Sequence, residues 1–162
     1  MRVTGYTEPG ADMPHRRVRV AVMRHGERFA GQPDPGLTPA GRRMAEEAGQ
    51  WLKGQGFHPT LLLHSPTRRT RETAEVVGQV FPEVRRQALP TTLEDEREWE
   101  ALMGDPTAPN AAIIGHHPLI VSLQERYGPP PVSVPVHHYA SVLLLERGHR
   151  WTICAAWPGR AS

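Results

Sequence analysis

At 162 residues with a formal net charge of +2, the chain fits one domain with a single core, and its charge leaves no footprint of a nucleic-acid binder. The positive charge is almost wholly arginine, Lys53 being the one lysine, and no interleaved basic and aromatic stripe suggests stacking on bases. Cys154, the single cysteine, allows no intramolecular disulfide, and no stretch reaches the length of a membrane span, so a reducing, cytoplasmic setting without membrane contact is expected.

The first dozen residues lack the apolar run of a signal peptide. Residues 1–16 are expected to form a poorly ordered tail, with Met13 an alternative natural start, and residues 17–162 a single domain. Residues 17 to 23 alternate arginine with apolar side chains and read as a strand. After a Gly- and Pro-rich loop from Phe29 to Gly36, Thr38 caps a helix with Pro39 at its first position, ending at Gly54 and Gly56. Leu61 to Leu63 is a second strand, and a helix from Pro66 to Val80 follows with Ser65 as its N-cap. Val84 to Leu89 reads as a short strand, and Glu94 to Met103 as a helix closed by Gly104-Asp105-Pro106. A buried strand at Ala111 to Gly115 precedes a helix at Leu119 to Tyr127 and an extended Gly128-Pro129-Pro130-Pro131 connection. Ser141 to Glu146 and Arg150 to Ala156 form a hairpin, in which Cys154 is expected as a small buried apolar residue. Alternating strands and helices predict an α/β sheet covered on both faces.

Three of these strands end in chemically suggestive residues. The first runs into Arg24-His25-Gly26-Glu27-Arg28, the second into His64-Ser65-Pro66 with Arg68, Arg69 and Arg71 behind it, and the third into Gly115-His116-His117. Histidine forms covalent intermediates, and arginine presents a planar fork of donors matched to phosphate oxygens. Arginines in the first turn of a helix oppose its dipole, a conflict relieved if an anion sits at that terminus. Ligands of open α/β sheets bind beyond the carboxyl ends of strands, so the three segments converge on one crevice. His117, His137 and His138 raise a metal alternative, but adjacent histidines on a strand face opposite ways and no carboxylate cluster joins them, so no metal site is assigned. His137 or His138 is placed at the rim instead.

The chain resembles the histidine phosphatase superfamily, in its phosphoglycerate mutase-like branch. The carrying residues are Arg24-His25-Gly26-Glu27, Leu37-Thr38-Pro39-Ala40-Gly41, Ser65-Pro66 with Arg69 and Thr73-Ala74-Glu75, and Gly115-His116, spanning roughly residues 17 to 157. In size it is closest to the short bacterial phosphohistidine phosphatases. The resemblance implies a three-layer α/β/α sandwich whose mainly parallel central sheet has one antiparallel strand. It implies His25 as the nucleophile that becomes phosphorylated, Arg24, Arg69 and His116 around the phosphate, and no cofactor. His25 must attack as neutral imidazole, and Arg24, Arg69 and a protonated His116 are like charges that favour that form. Positioning and charge stabilisation carry phosphoryl transfer, so no metal is called for. By family spacing Arg69 is the phosphate ligand, with Arg68 and Arg71 as decoys. Arg28 either extends the anion site toward a second charged group or points to solvent.

A general acid is needed to expel an alkoxide and much less to expel an imidazole. Glu96 is the first candidate for that acid, Glu94 the second, against a plain reading as a solvated acidic helix. The expected activity is hydrolysis of phosphohistidine or phosphomonoesters through a phosphohistidine intermediate. The partner is then a phosphorylated small molecule or a phosphohistidine protein. Alternatives are a mutase-like small-molecule enzyme and a non-catalytic phosphate-recognition module.

Overall fold

The computed structural model describes residues 18–103, 110–128 and 137–160. In chain order the elements are β1 (Val18–Arg24), α1 (Pro39–Gly54), β2 (Leu61–His64), α2 (Arg68–Val80) and β3 (Arg85–Ala88). They continue with α3 (Glu96–Met103), β4 (Asn110–Gly115), α4 (His117–Tyr127), β5 (Val142–Arg147) and β6 (Trp151–Trp157). The strands form one sheet in the order β3-β2-β4-β1-β5-β6. β1, β2, β3 and β4 pair in parallel, and β5 runs antiparallel to both of its neighbours. The sandwich with one reversed strand is therefore the fold.

Side-chain alternation along the central strands divides the core between two faces. Ala21 and Met23 of β1 and Val142 and Leu144 of β5 meet Met44, Ala48 and Leu52 of α1 and Ala74 and Val77 of α2. Their neighbours Val20, Val22, Leu143 and Leu145 turn the other way, onto Trp99 and Met103 of α3 and Leu119, Ile120 and Leu123 of α4. Both faces of β1 are thus buried, which explains why its apolar run is nearly continuous. At one margin β3 exposes all four residues, and Arg85 and Arg86 there guard an unpaired edge.

Four local expectations shift. α2 begins at Arg68 with Thr67 as N-cap, its hydroxyl accepting from the Thr70 N–H, because the Ser65 side chain is engaged elsewhere. α3 begins at Glu96, since Asp95 caps it by accepting from the backbone N–H groups of Arg97 and Glu98. α4 begins two residues earlier than expected, at His117, with Pro118 in its first turn. Cys154 is exposed, not buried: the β5–β6 register steps from Leu144 opposite Ala155 to Leu145 opposite Ile153, leaving Cys154 as the extra residue of a bulge. The tail, the Gly104-Asp105-Pro106 stop and the Pro129–Pro131 connection lie outside the described residues.

Candidate active site

β1, β4 and β2 lie side by side, with Arg24 opposite Gly115 and His64 opposite Ile114, so their carboxyl ends open on one crevice. The chain beyond β1 is held by its backbone. The His25 N–H donates to the Gly115 carbonyl at 3.1 Å, and the His25 carbonyl accepts from the Ala140 N–H at 3.0 Å. The Gly26 N–H donates to Thr73 Oγ1 at 3.0 Å, and Thr73 Oγ1 donates to the Arg69 carbonyl at 2.8 Å. Thr73 therefore ties the loop after β1 to the first turn of α2.

α1 presses on the same loop. A Cβ on Gly26 would lie 2.4 Å from the Gly41 carbonyl oxygen, and one on Gly41 would lie 2.1 Å from the Glu27 carbonyl oxygen. Only glycine fits at either position. Thr38 completes the junction: its N–H donates to the Glu27 carbonyl, its hydroxyl to Glu27 Oε1 at 2.7 Å, and its Oγ1 accepts from the Gly41 N–H at 2.9 Å.

His25 is buried, and its Nδ1–H donates to the Gly26 carbonyl at 2.7 Å. That bond fixes the tautomer and leaves Nε2 with its lone pair. Arg69 Nε–H points at this nitrogen from 3.3 Å. Burial, opposed by the Gly26 hydrogen bond and reinforced by the positive charges of Arg69, His116 and Arg24, pushes the His25 pKa down to about 3. The ring is neutral across the physiological range.

Arg24 lies with its Cζ 4.4 Å from the centre of the Tyr139 ring, and one terminal nitrogen donates to the His137 carbonyl at 3.2 Å. Its buried Nε–H has no partner among the described residues, a donor suited to an anion. The His116 ring sits 5.5 Å from that of His25, centre to centre, and its Nε2 is 2.7 Å from Ser65 Oγ. Burial first, then Arg69 and Arg24, hold His116 below the usual imidazole value against an upward pull from Glu94. Contrary to the expectation of a protonated His116, the unliganded cradle owes its charge to the two arginines.

Arg24, His25, Arg69 and His116 are brought together, with Glu94 close enough for its charge to bear on His116, while Arg68, Arg71 and Glu96 are turned to other partners. Arg68 Nε–H donates to Glu72 Oε2 at 2.8 Å, and Arg71 lies 3.9 Å from Glu75. Burial works to raise the Glu72 carboxyl, yet Arg68, the Leu37 N–H and Arg42 together hold it low. Arg28 is exposed at the mouth, and its positive charge bears on both Arg24 and Arg69. Glu96 faces Ser122 of α4, whose hydroxyl donates to Glu96 Oε2, and this bond lowers its pKa. His137 is buried with its ring against Gln124. Among the described residues no three His, Cys, Asp or Glu side chains group as a metal site.

Sequence reasoning missed Tyr139 as the platform for Arg24 and the role of the Ser65 side chain. Ser65 carried a misleading signal, since Ser-Pro before a helix reads first as a cap. Tyr139 carried none, lying far along the chain from Arg24.

The chain matches the model of the histidine phosphatase superfamily (branch 1) over residues 20–112, more than half its length, and belongs to that superfamily. Its fold is similar to the protein histidine phosphatase SixA complexed with tungstate, at 22% identity, with a TM-score of 0.70 over 86% of this chain and 96% of that one. A candidate phosphohistidine phosphatase SixA from Agrobacterium tumefaciens superimposes with a TM-score of 0.71 at 19% identity, covering 86% and 97%. A mycobacterial glucosyl-3-phosphoglycerate phosphatase gives 0.58 at 17% identity, covering 89% and 100%.

Proposed function

We propose that this protein is a phosphatase that hydrolyses phosphohistidine or a phosphomonoester through a phosphorylated His25. The observation that carries the reading is the Nε2 lone pair of His25, left free because the Nδ1–H is held by the Gly26 carbonyl, on a ring that burial keeps neutral, and facing the Arg69 Nε–H. Nε2 attacks phosphorus, forming an N–P bond as the bond to the leaving atom breaks. Arg24, Arg69 and His116 take up the charge on the phosphoryl oxygens. Water then attacks the phosphohistidine, releasing inorganic phosphate and returning neutral His25.

Phosphohistidine is the favoured substrate class of the two. Glu96 is bound to Ser122 and more acidic than an ordinary glutamate, the opposite of a group that must hold a proton at neutral pH. An imidazole leaving group makes little demand on such a residue. SixA, among the proteins of similar fold, is described as a protein histidine phosphatase, which supports the same choice.

Rapid acid quench after mixing with a radiolabelled phosphohistidine substrate tests the intermediate. The wild type is expected to carry label that His25→Ala lacks; tight phosphate binding without label in the wild type would instead indicate a recognition module.

A further inference from the structure

Three hydroxyls lie in a chain beneath His116. Ser65 Oγ is 3.0 Å from Thr70 Oγ1, and Thr67 Oγ1 is 2.7 Å from the same atom. Thr70 Oγ1 in turn reaches the Ser65 carbonyl at 2.7 Å and the Thr67 carbonyl at 3.0 Å. Ser65 and Thr70 are both buried, so these two hydroxyls are shielded from water, while Thr67 and His116 are half-buried.

The carbonyls give this chain a direction. A carbonyl only accepts, so the single Thr70 proton goes to the Ser65 carbonyl, the shorter of its two contacts. Thr70 Oγ1 is then an acceptor toward both neighbouring hydroxyls, and the Ser65 proton points at it. With its proton on Thr70, Ser65 Oγ turns lone pairs toward His116 Nε2 at 2.7 Å, and that nitrogen is then the donor. No hydrogen bond from a described residue reaches His116 Nδ1.

We propose that Ser65 fixes His116 in the tautomer protonated on Nε2, so that an oxyanion binds here only together with a proton taken up on Nδ1. The inference rests on the anion site of the proposed phosphatase and adds its coupling to protons. A neutral His116 in this tautomer turns a lone pair toward the anion and repels it. The imidazolium donates from both nitrogens, one to Ser65 and one to the phosphoryl oxygen. The charged groups bearing on His116 are Arg69 from α2, Arg24 from β1 and Glu94 ahead of α3, with the His25 ring beside it. Burial, then the two arginines, keep it neutral while the site is free, and a dianion between the arginines tips the balance toward the charged ring. His25 remains neutral throughout and takes no part in the uptake. Ser65 acts through His116 and is a positioning residue.

Tungstate, a dianion throughout the neutral range, is a suitable probe. Calorimetric titration in buffers of different ionisation enthalpy reads the protons taken up per anion. The wild type and Ser65→Thr are expected to take up about one proton per tungstate, with affinity falling about tenfold per pH unit from about pH 7 upward. Ser65→Ala frees the ring to place its neutral proton on Nδ1, so both the uptake and the slope should fall toward zero. Binding by the wild type without proton uptake overturns the inference, as does undiminished uptake by Ser65→Ala. Failure of the wild type to bind tungstate at all would overturn the anion site itself, a separable result. Should Ser65→Ala not fold, nitrogen NMR of the unliganded wild type decides: a proton on His116 Nε2 supports the assignment and one on Nδ1 overturns it.

Discussion

Single side chains here are specialised by what they touch. Arg68, Arg69 and Arg71 are neighbours in sequence, yet two of them face acidic partners one helical turn along, at Glu72 and Glu75, while Arg69 turns to His25. Glu96 shows the same sorting. Replacing it by Gln keeps an acceptor for Ser122 and removes only the acid. Hydrolysis of phosphohistidine by Glu96→Gln should stay within about twofold of the wild type, because the departing imidazole makes little demand on an acid. A loss of tenfold or more on that substrate would restore Glu96 to the chemistry. His25 and its arginines are legible in the sequence because each follows an apolar strand end and carries rare chemistry. Ser65 is not, since a hydroxyl has several uses and only the fold brings His116 to it across 51 residues.

At the level of elements, the junction between the loop after β1 and α1 decides whether the site is assembled. Thr38 serves as helix cap, as backbone donor to Glu27 and as partner of the Glu27 carboxylate. Thr38→Ala should lower stability by about 1–2 kcal/mol, the usual cost of a lost cap, measured as a shift in urea midpoint at unchanged m-value. Thr38→Ser, which keeps the hydroxyl, should recover most of it. Helix α1 is plain in the amino-acid order because Thr-Pro at its start and Gly beyond its end are punctuation with a steric cause. The starts of α2 and α3 lie two residues later than expected because Thr67 and Asp95 cap them, Ser65 being engaged with His116 and Thr70. The bulge at Cys154 leaves no trace in the sequence: it is a property of the pairing between two strands, and alternation within one strand does not record it.

The whole molecule senses acid through the ring of His25. His25 is neutral in the folded state down to about pH 3, whereas in the unfolded chain it binds a proton near its ordinary value of 6.5. The unfolded state therefore holds more protons between those limits, and stability rises with pH across the window and is lost as pH falls through it. Comparison with His25→Asn isolates the effect from the other depressed histidines. The wild type should lose about 1.4 kcal/mol relative to the variant for each unit below about pH 6, read from urea midpoints. A constant difference between the two proteins would show that the ring is not shielded as described. The meeting of Gly26 and Gly41 has a wider consequence for such a molecule. Where two main chains touch with nothing between them, neither can give way alone. The His25 ring has no private hinge, and whatever loosens α1 also misaligns it, so heat should silence this protein as one event with melting rather than by gradual decay.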